Sequence, residues 1–130
     1  MLKYLFIVLI IYICFFYKKT HSIYGPIQRS KKELQKGLMF RKKPLQAKEG
    51  MLFVMKPHSN NTVWMKNTYI PLDVIFLDSF MEVVGYKINT TPLSLTTISI
   101  NNPSSYILEM NAGSVTNLDI SKGDLIDFRE

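Results

Sequence analysis

The stretch VWMKNTYIPLDVIFLD at residues 63–78 decides the fold of this chain. Residues 72–77 are apolar on both faces of an extended strand apart from Asp73, because successive side chains alternate between the two faces. A strand of this kind is typical of the centre of a sheet that is covered on both sides. Pro71 donates no backbone hydrogen bond and holds the residue before it extended. The stretch therefore predicts two strands joined by a short polar connection.

Asp73 is the anomaly in the second of these strands. It places a carboxylate at the start of a run that we expect to be buried. Removing an ionised carboxylate from water without a partner costs several kcal/mol, so the group needs a compensating contact. Lys66 lies just across the polar connection and is the nearest candidate. The sequence therefore indicates an ion pair between Lys66 and Asp73.

Short apolar runs separated by Gly, Pro and Asn continue on both sides of this stretch. The further runs that read as strands are residues 51–55, 82–88, 105–110 and 125–128. Ser30 and Glu33 have the spacing of a helix-capping box, which predicts a short helix at Lys31–Lys36. We therefore expect a mostly β fold of the α+β class. It should be a compact sheet or a partly closed small barrel of about six or seven strands, with one short N-terminal helix.

The amino terminus carries a second strong pattern. Residues 4–17 are all apolar or aromatic, with Lys3 before them and Lys18 after them. The run is short for a membrane-spanning helix of about 20 residues and fits the apolar region of a signal peptide, with cleavage before Ile23. Basic residues on both flanks leave an uncleaved membrane anchor as the alternative.

These patterns predict three segments and a location. Residues 1–22 form a signal peptide or a membrane anchor, residues 23–29 a linker or edge strand, and residues 30–130 a single mostly β domain. We expect the protein to be exported, to the periplasm or the extracellular space, or anchored in the membrane by residues 4–17. The membrane is then a partner through the N-terminal apolar segment.

Charge and motifs exclude several function classes. The net charge is +6, and basic residues concentrate between Arg29 and Lys48, yet no aromatic interleaving or known motif accompanies them. We therefore expect no nucleic-acid partner. His21 and His58 are isolated, which predicts no metal site, and no Gly-rich phosphate loop is present, so no cofactor is expected. Cys14 is the one cysteine, so no disulfide can form within the chain.

Five short motifs together resemble a known family. They are GLMFR at 37–41, GMLFV at 50–54, WMKNT at 64–68, IPLDV at 70–74 and YILE at 106–109. In this order they resemble domain of unknown function family 192, also called uncharacterised protein family 0127. The resemblance runs from about Ser30 to the carboxyl end. It implies a compact, mostly β domain, often behind an export signal or a single anchor, with no agreed biochemical activity.

A set of polar and aromatic side chains in and around the central stretch is the candidate site. Its members are Arg41, Trp64, Lys66, Asn67, Thr68, Asp73 and Glu109. One interpretation is a buried network of ion pairs and hydrogen bonds that holds strand ends together. The other is a cleft in which Lys66 or Arg41 meets an anionic or hydroxyl-rich small ligand beside Trp64, whose indole is rigid and amphipathic.

We expect an exported or membrane-anchored, non-enzymatic module that binds a ligand or a partner. One alternative is a small hydrolase that uses Asp73 or Glu109 as general base with Lys66 as electrostatic partner. The other alternative is a structural protein of the cell envelope. No nucleophile is marked by a motif in the sequence, which is why binding stands first.

Overall fold

Seven strands and three helices follow one another in the computed structural model, which describes residues 1–130 except for the side chains of residues 15 and 16. The helices are α1 (Leu2–Phe16), α2 (Lys31–Lys36) and α3 (Ser114–Asn117). The strands are β1 (Thr20–Tyr24), β2 (Ile27–Gln28), β3 (Gly50–Ser59), β4 (Leu72–Leu77), β5 (Val83–Lys87), β6 (Ser104–Asn111) and β7 (Leu125–Arg129). The predicted mostly β fold of the α+β class is confirmed.

Five strands form the main sheet, in the order β2-β3-β6-β4-β5. β6 is central and pairs antiparallel with both neighbours, so Glu109 lies opposite Met51 on β3 and Val74 on β4. β1 and β7 pair in parallel as a separate two-stranded sheet. Neither sheet closes into a barrel among the described strands, so the compact-sheet form of the prediction is correct.

The main sheet is buried on both faces. One face carries Ile75 and Leu108, which pack with Ile23 of β1, Val115 of α3 and Ile126 of β7. The opposite face carries Phe53, Val74, Phe76 and Ile107, which pack with Leu34 of α2. Neighbouring residues of one strand belong to different faces because their side chains alternate. All six residues of β4 are buried, as its apolar composition predicts.

The capping box defines α2. The Ser30 hydroxyl accepts a hydrogen bond from the Glu33 N–H, and the Glu33 carboxylate accepts one from the Ser30 N–H at 2.9 Å. These contacts satisfy two backbone N–H groups that would otherwise lack partners at the start of the helix. The helix ends at Gly37, whose φ of 46° lies in the region that favours glycine. The predicted helix at Lys31–Lys36 is confirmed.

The N-terminal helix is too short to serve as a membrane span. It has 15 residues, which correspond to about 22 Å at about 1.5 Å per residue, against a hydrocarbon core of about 30 Å. None of the helices in the described residues is long and apolar enough to cross a membrane. The prediction that the membrane is a partner through this N-terminal apolar segment is therefore wrong.

The strand after α1 belongs to the folded domain. His21 places Nε2 2.8 Å from the Asp124 carboxylate, which also accepts a hydrogen bond from the Ser121 N–H. Burial alone would raise the pKa of Asp124, but these hydrogen bonds and the nearby charges of Lys19 and His21 lower it. The predicted segment boundary after residue 22 falls inside β1, and the division of the chain there stays a prediction.

Candidate functional site

A cavity of about 600 Å³ lies between α2 and the main sheet. The alternation along β6 turns Glu109 toward the same face as Ile107, and α2 crosses above that face. The wall is mostly apolar, and its aliphatic and aromatic members include Leu34, Leu38, Met39, Phe53, Met55 and Val63. Small-molecule sites in proteins have this size and this apolar character.

Glu109 is the distinctive polar group of the cavity. Its side chain is nearly enclosed, with 6% of the residue exposed. Within the described part of the chain, the carboxyl makes no hydrogen bond and no ion pair, although it lines the cavity. Burial raises the pKa of Glu109 to about 8. The group is therefore a neutral carboxylic acid near neutral pH, able to donate one hydrogen bond into the cavity.

The rim of the cavity on the side of α2 is basic. Arg29, Lys31 and Lys36 are exposed and belong to the lining. Glu33 of the same helix is occupied by its capping contacts with backbone N–H groups, which lower its pKa. Among the described residues that line the cavity, Glu109 is the one acid. The mouth therefore presents positive charge to an incoming molecule.

The WMKNT motif builds the opposite rim. Trp64 is 47% exposed, and the Lys66 ammonium lies 5.0 Å from the centroid of its ring, in a cation–π contact. Asn67 has a φ of 53°, which turns the chain and directs its carbonyl to the Phe40 N–H. Thr68 is buried, and its hydroxyl donates to the Lys66 carbonyl at 3.1 Å. This turn places Trp64 and Thr68 on the cavity.

Asp73 has a structural position away from the cavity. Its Oδ1 accepts from the Asn89 N–H, and its Oδ2 accepts from the Gly113 and Val115 N–H groups. The side chain is fully enclosed. These backbone donors compensate the buried carboxylate and tie β4 to the start of α3. The expected ion pair between Lys66 and Asp73 is not formed among the described side chains.

The structure divides the set of candidate residues. Trp64, Thr68 and Glu109 line one cavity. Arg41 lies elsewhere on the surface, where its guanidinium donates to the Lys43 carbonyl and lies 3.4 Å from Glu49. The other four members of the set lie outside the cavity lining: Arg41, Lys66, Asn67 and Asp73.

Sequence reasoning missed the part of the site that α2 contributes. Leu34 and Gly37 face the cavity, and an added Cβ at Gly37 would lie 4.0 Å from the Glu109 carboxylate. One signal was available. Lys31 in the first turn opposes the helix dipole, so it does not serve the helix itself.

In the described residues, no group of at least three His, Cys, Asp or Glu side chains could hold a metal ion.

The fold and the cavity define a class: a small α+β domain with an apolar cavity beneath a single short helix. Within that class, the chain belongs to domain of unknown function family 192, described as an uncharacterised family, whose model matches residues 16–128. The resemblance inferred from the five sequence motifs is thereby confirmed. No curated protein matches the chain.

Two solved structures share this fold. A crystal structure of a protein of unknown function from Novosphingobium aromaticivorans is 37% identical, covers 78% of this chain and 73% of its own, and has a TM-score of 0.73. A crystal structure of a putative transcription regulator from Sinorhizobium meliloti is 35% identical, covers 76% of each chain, and also has a TM-score of 0.73. Neither description states a ligand.

Proposed function

We propose that this protein is a non-enzymatic binding module whose ligand occupies the cavity between α2 and the main sheet. The observation that carries the proposal is Glu109. Among the described residues every fully buried side-chain oxygen has a hydrogen-bond partner, so the partnerless oxygens of Glu109 are open to the cavity. Glu109 faces a cavity of about 600 Å³ and has no partner among the described residues. A ligand with a hydrogen-bond acceptor would supply that partner.

The geometry favours binding over hydrolysis. A hydrolase needs a base or a nucleophile beside its substrate. Both carboxylate oxygens of Asp73 already accept backbone hydrogen bonds, and the side chain has no exposed surface. The Thr68 hydroxyl donates to a backbone carbonyl, and the described residues of the lining include neither His nor Cys. Glu109 is neutral near neutral pH, so it lacks the free carboxylate that a general base needs.

We also propose that the N-terminal segment directs export. Its 15-residue helix exposes every side chain from Met1 to Cys14, so these residues add nothing to the buried core. A short apolar run between basic residues is typical of a signal peptide. Fractionation with protease protection and mass analysis tests this proposal. We expect a product outside the cytoplasm that lacks the apolar run, and a full-length product inside the cytoplasm would contradict export.

The binding proposal is tested by calorimetric titration of the full chain with three probes that share one alkyl chain. The probes are decanoate, decanol and decylammonium, and at least one of them should bind. Leu34→Trp fills the cavity from α2 and should abolish that binding. Lys32→Trp places the same side chain on the same helix outside the cavity lining, and it should leave binding unchanged. Absence of binding for all three probes, or binding that survives Leu34→Trp, would contradict the proposal.

A further inference from the structure

We propose that the ligand of this cavity is an amphipathic anion, with an apolar body against the sheet and an anionic group at the basic rim formed by Arg29, Lys31 and Lys36. This inference rests on the proposed binding function and names the class of ligand. It is argued from three features of the cavity: its apolar wall, the sign of its charges and the unpartnered acid at Glu109.

The wall requires a largely apolar ligand body. Phe53 of β3 is buried, and Leu34 and Met55 complete the surface beside it. Burying apolar ligand surface here gains about 25 cal/mol for each Å² removed from water. Met55 adapts its shape easily because its side chain is unbranched and polarizable. This wall accepts alkyl or aromatic groups of differing shape and gives little discrimination among them.

The positive charges at the rim of the cavity favour a negatively charged ligand. The lining carries Arg29, Lys31 and Lys36 on its α2 side, and its one acid among the described residues is Glu109. The Arg29 guanidinium lies 3.7 Å from the Glu130 carboxylate, which partly offsets its charge. A cationic ligand would still pass Lys31 and Lys36 to enter, whereas an anionic ligand would be attracted by them. Each exposed contact is modest, because water and salt screen it. Their effect is therefore a preference in affinity that decreases with added salt.

Glu109 supplies the directional contact. In its neutral form it donates one hydrogen bond, and an oxygen of the ligand would accept it. Because burial raises the pKa of Glu109 to about 8, the neutral form prevails near neutral pH. A neutral donor also avoids repulsion with an anionic ligand. An amine ligand would instead require Glu109 to ionise, and the basic rim opposes its entry.

The same three probes test the class of ligand near neutral pH. Decanoate should bind more tightly than decanol and decylammonium, and added salt should reduce its advantage. The double variant Lys31→Ala/Lys36→Ala should weaken decanoate binding about tenfold, because each exposed charge contributes modestly. Lys42→Ala/Lys43→Ala removes two exposed lysines outside the cavity lining and is the matched control, with no change expected.

Substitutions at Glu109 test the directional contact. Glu109→Gln keeps a neutral donor and should retain decanoate binding, whereas Glu109→Leu removes it and should weaken binding about fivefold. Decylammonium that binds more tightly than decanoate, and whose binding is lost in Glu109→Gln, would overturn the anionic class and indicate a cationic ligand. Equal binding of decanol and decanoate would also overturn it while leaving the proposed function intact. Failure of all three probes would instead remove the proposed function.

Discussion

Replacement of Glu109 by glutamine should change how the stability of this domain depends on pH. Burial raises the pKa of Glu109 from 4.5 to about 8, so the folded state keeps a proton that the unfolded state releases between these values. Stability from this group is fully present below about pH 4.5 and is lost as pH rises through about 8. Glutamine has a similar shape and does not titrate, so Glu109→Gln removes this dependence.

The size of the effect follows from the same pKa. One pKa unit corresponds to about 1.36 kcal/mol, so a rise from 4.5 to about 8 sets an upper limit of about 5 kcal/mol. The free energy of unfolding of Glu109→Gln should therefore exceed that of the natural chain by only about 1 kcal/mol near pH 5. Above about pH 8 the variant should be more stable by up to about 5 kcal/mol.

Urea unfolding of both chains between about pH 5 and about pH 9 measures this difference directly. Other titrating groups are common to the two proteins and cancel in the comparison. Glu130→Gln removes an exposed carboxylate whose ion pair with Arg29, at 3.7 Å, lies on the surface, and it is the matched control, with an expected change within about 0.5 kcal/mol throughout. If the free-energy difference between Glu109→Gln and the natural chain stays constant from about pH 5 to about pH 9, the claim that Glu109 is a buried acid without a partner is refuted.

Three further substitutions test the fold that supports the cavity. Asp73→Ala leaves three backbone N–H groups, one of them buried, without their acceptor and should lower the free energy of unfolding by about 3 kcal/mol in urea titrations. Gly25→Ala would place a Cβ 1.8 Å from the Gly50 carbonyl oxygen at a φ of 151°, so thermal melts should show severe destabilisation. Ser30→Ala removes a capping contact and should cost about 1 kcal/mol, read from the same melts.

Local patterns predicted most of the fold. The apolar run of residues 72–77 indicated a strand buried on both faces, and β4 is such a strand. The spacing of Ser30 and Glu33 predicted α2 because the capping contacts lie within one helical turn. The choice between an open sheet and a partly closed barrel could not be made in this way. It depends on β6 pairing between β3 and β4, which are distant from it in sequence.

The candidate site was predicted only in part, because local spacing in the sequence reveals some of its members and not others. Trp64 and Thr68 stand close in sequence, and the turn between them places both on the cavity. The partner of Asp73 was predicted wrongly, because its donors are backbone N–H groups of residues 89, 113 and 115. Backbone donors that meet only after folding leave no mark in the side-chain sequence. The cavity itself arises where α2 crosses the sheet, a packing relation that local spacing does not encode.

The prediction that the membrane is a partner through the N-terminal apolar segment failed on length. The run of residues 4–17 is apolar, but the helix that contains it has 15 residues, and this is too few for a span. Lys18 and Lys19 follow directly and form ion pairs with Glu82 and Asp119, so the chain enters the domain at that point. Apolar composition alone did not distinguish a span from a shorter helix.

Chemical-shift mapping by nuclear magnetic resonance tests the central claim most directly, namely that the cavity beneath α2 is the binding site. Decanoate would be added to the isotopically labelled full chain. The largest shifts should appear at the Met55 methyl group, the Trp64 indole N–H and the carboxyl carbon of Glu109, which share the cavity lining. Shifts concentrated instead at Leu2 and Phe6 of α1, with Glu109 unchanged, would contradict the claim.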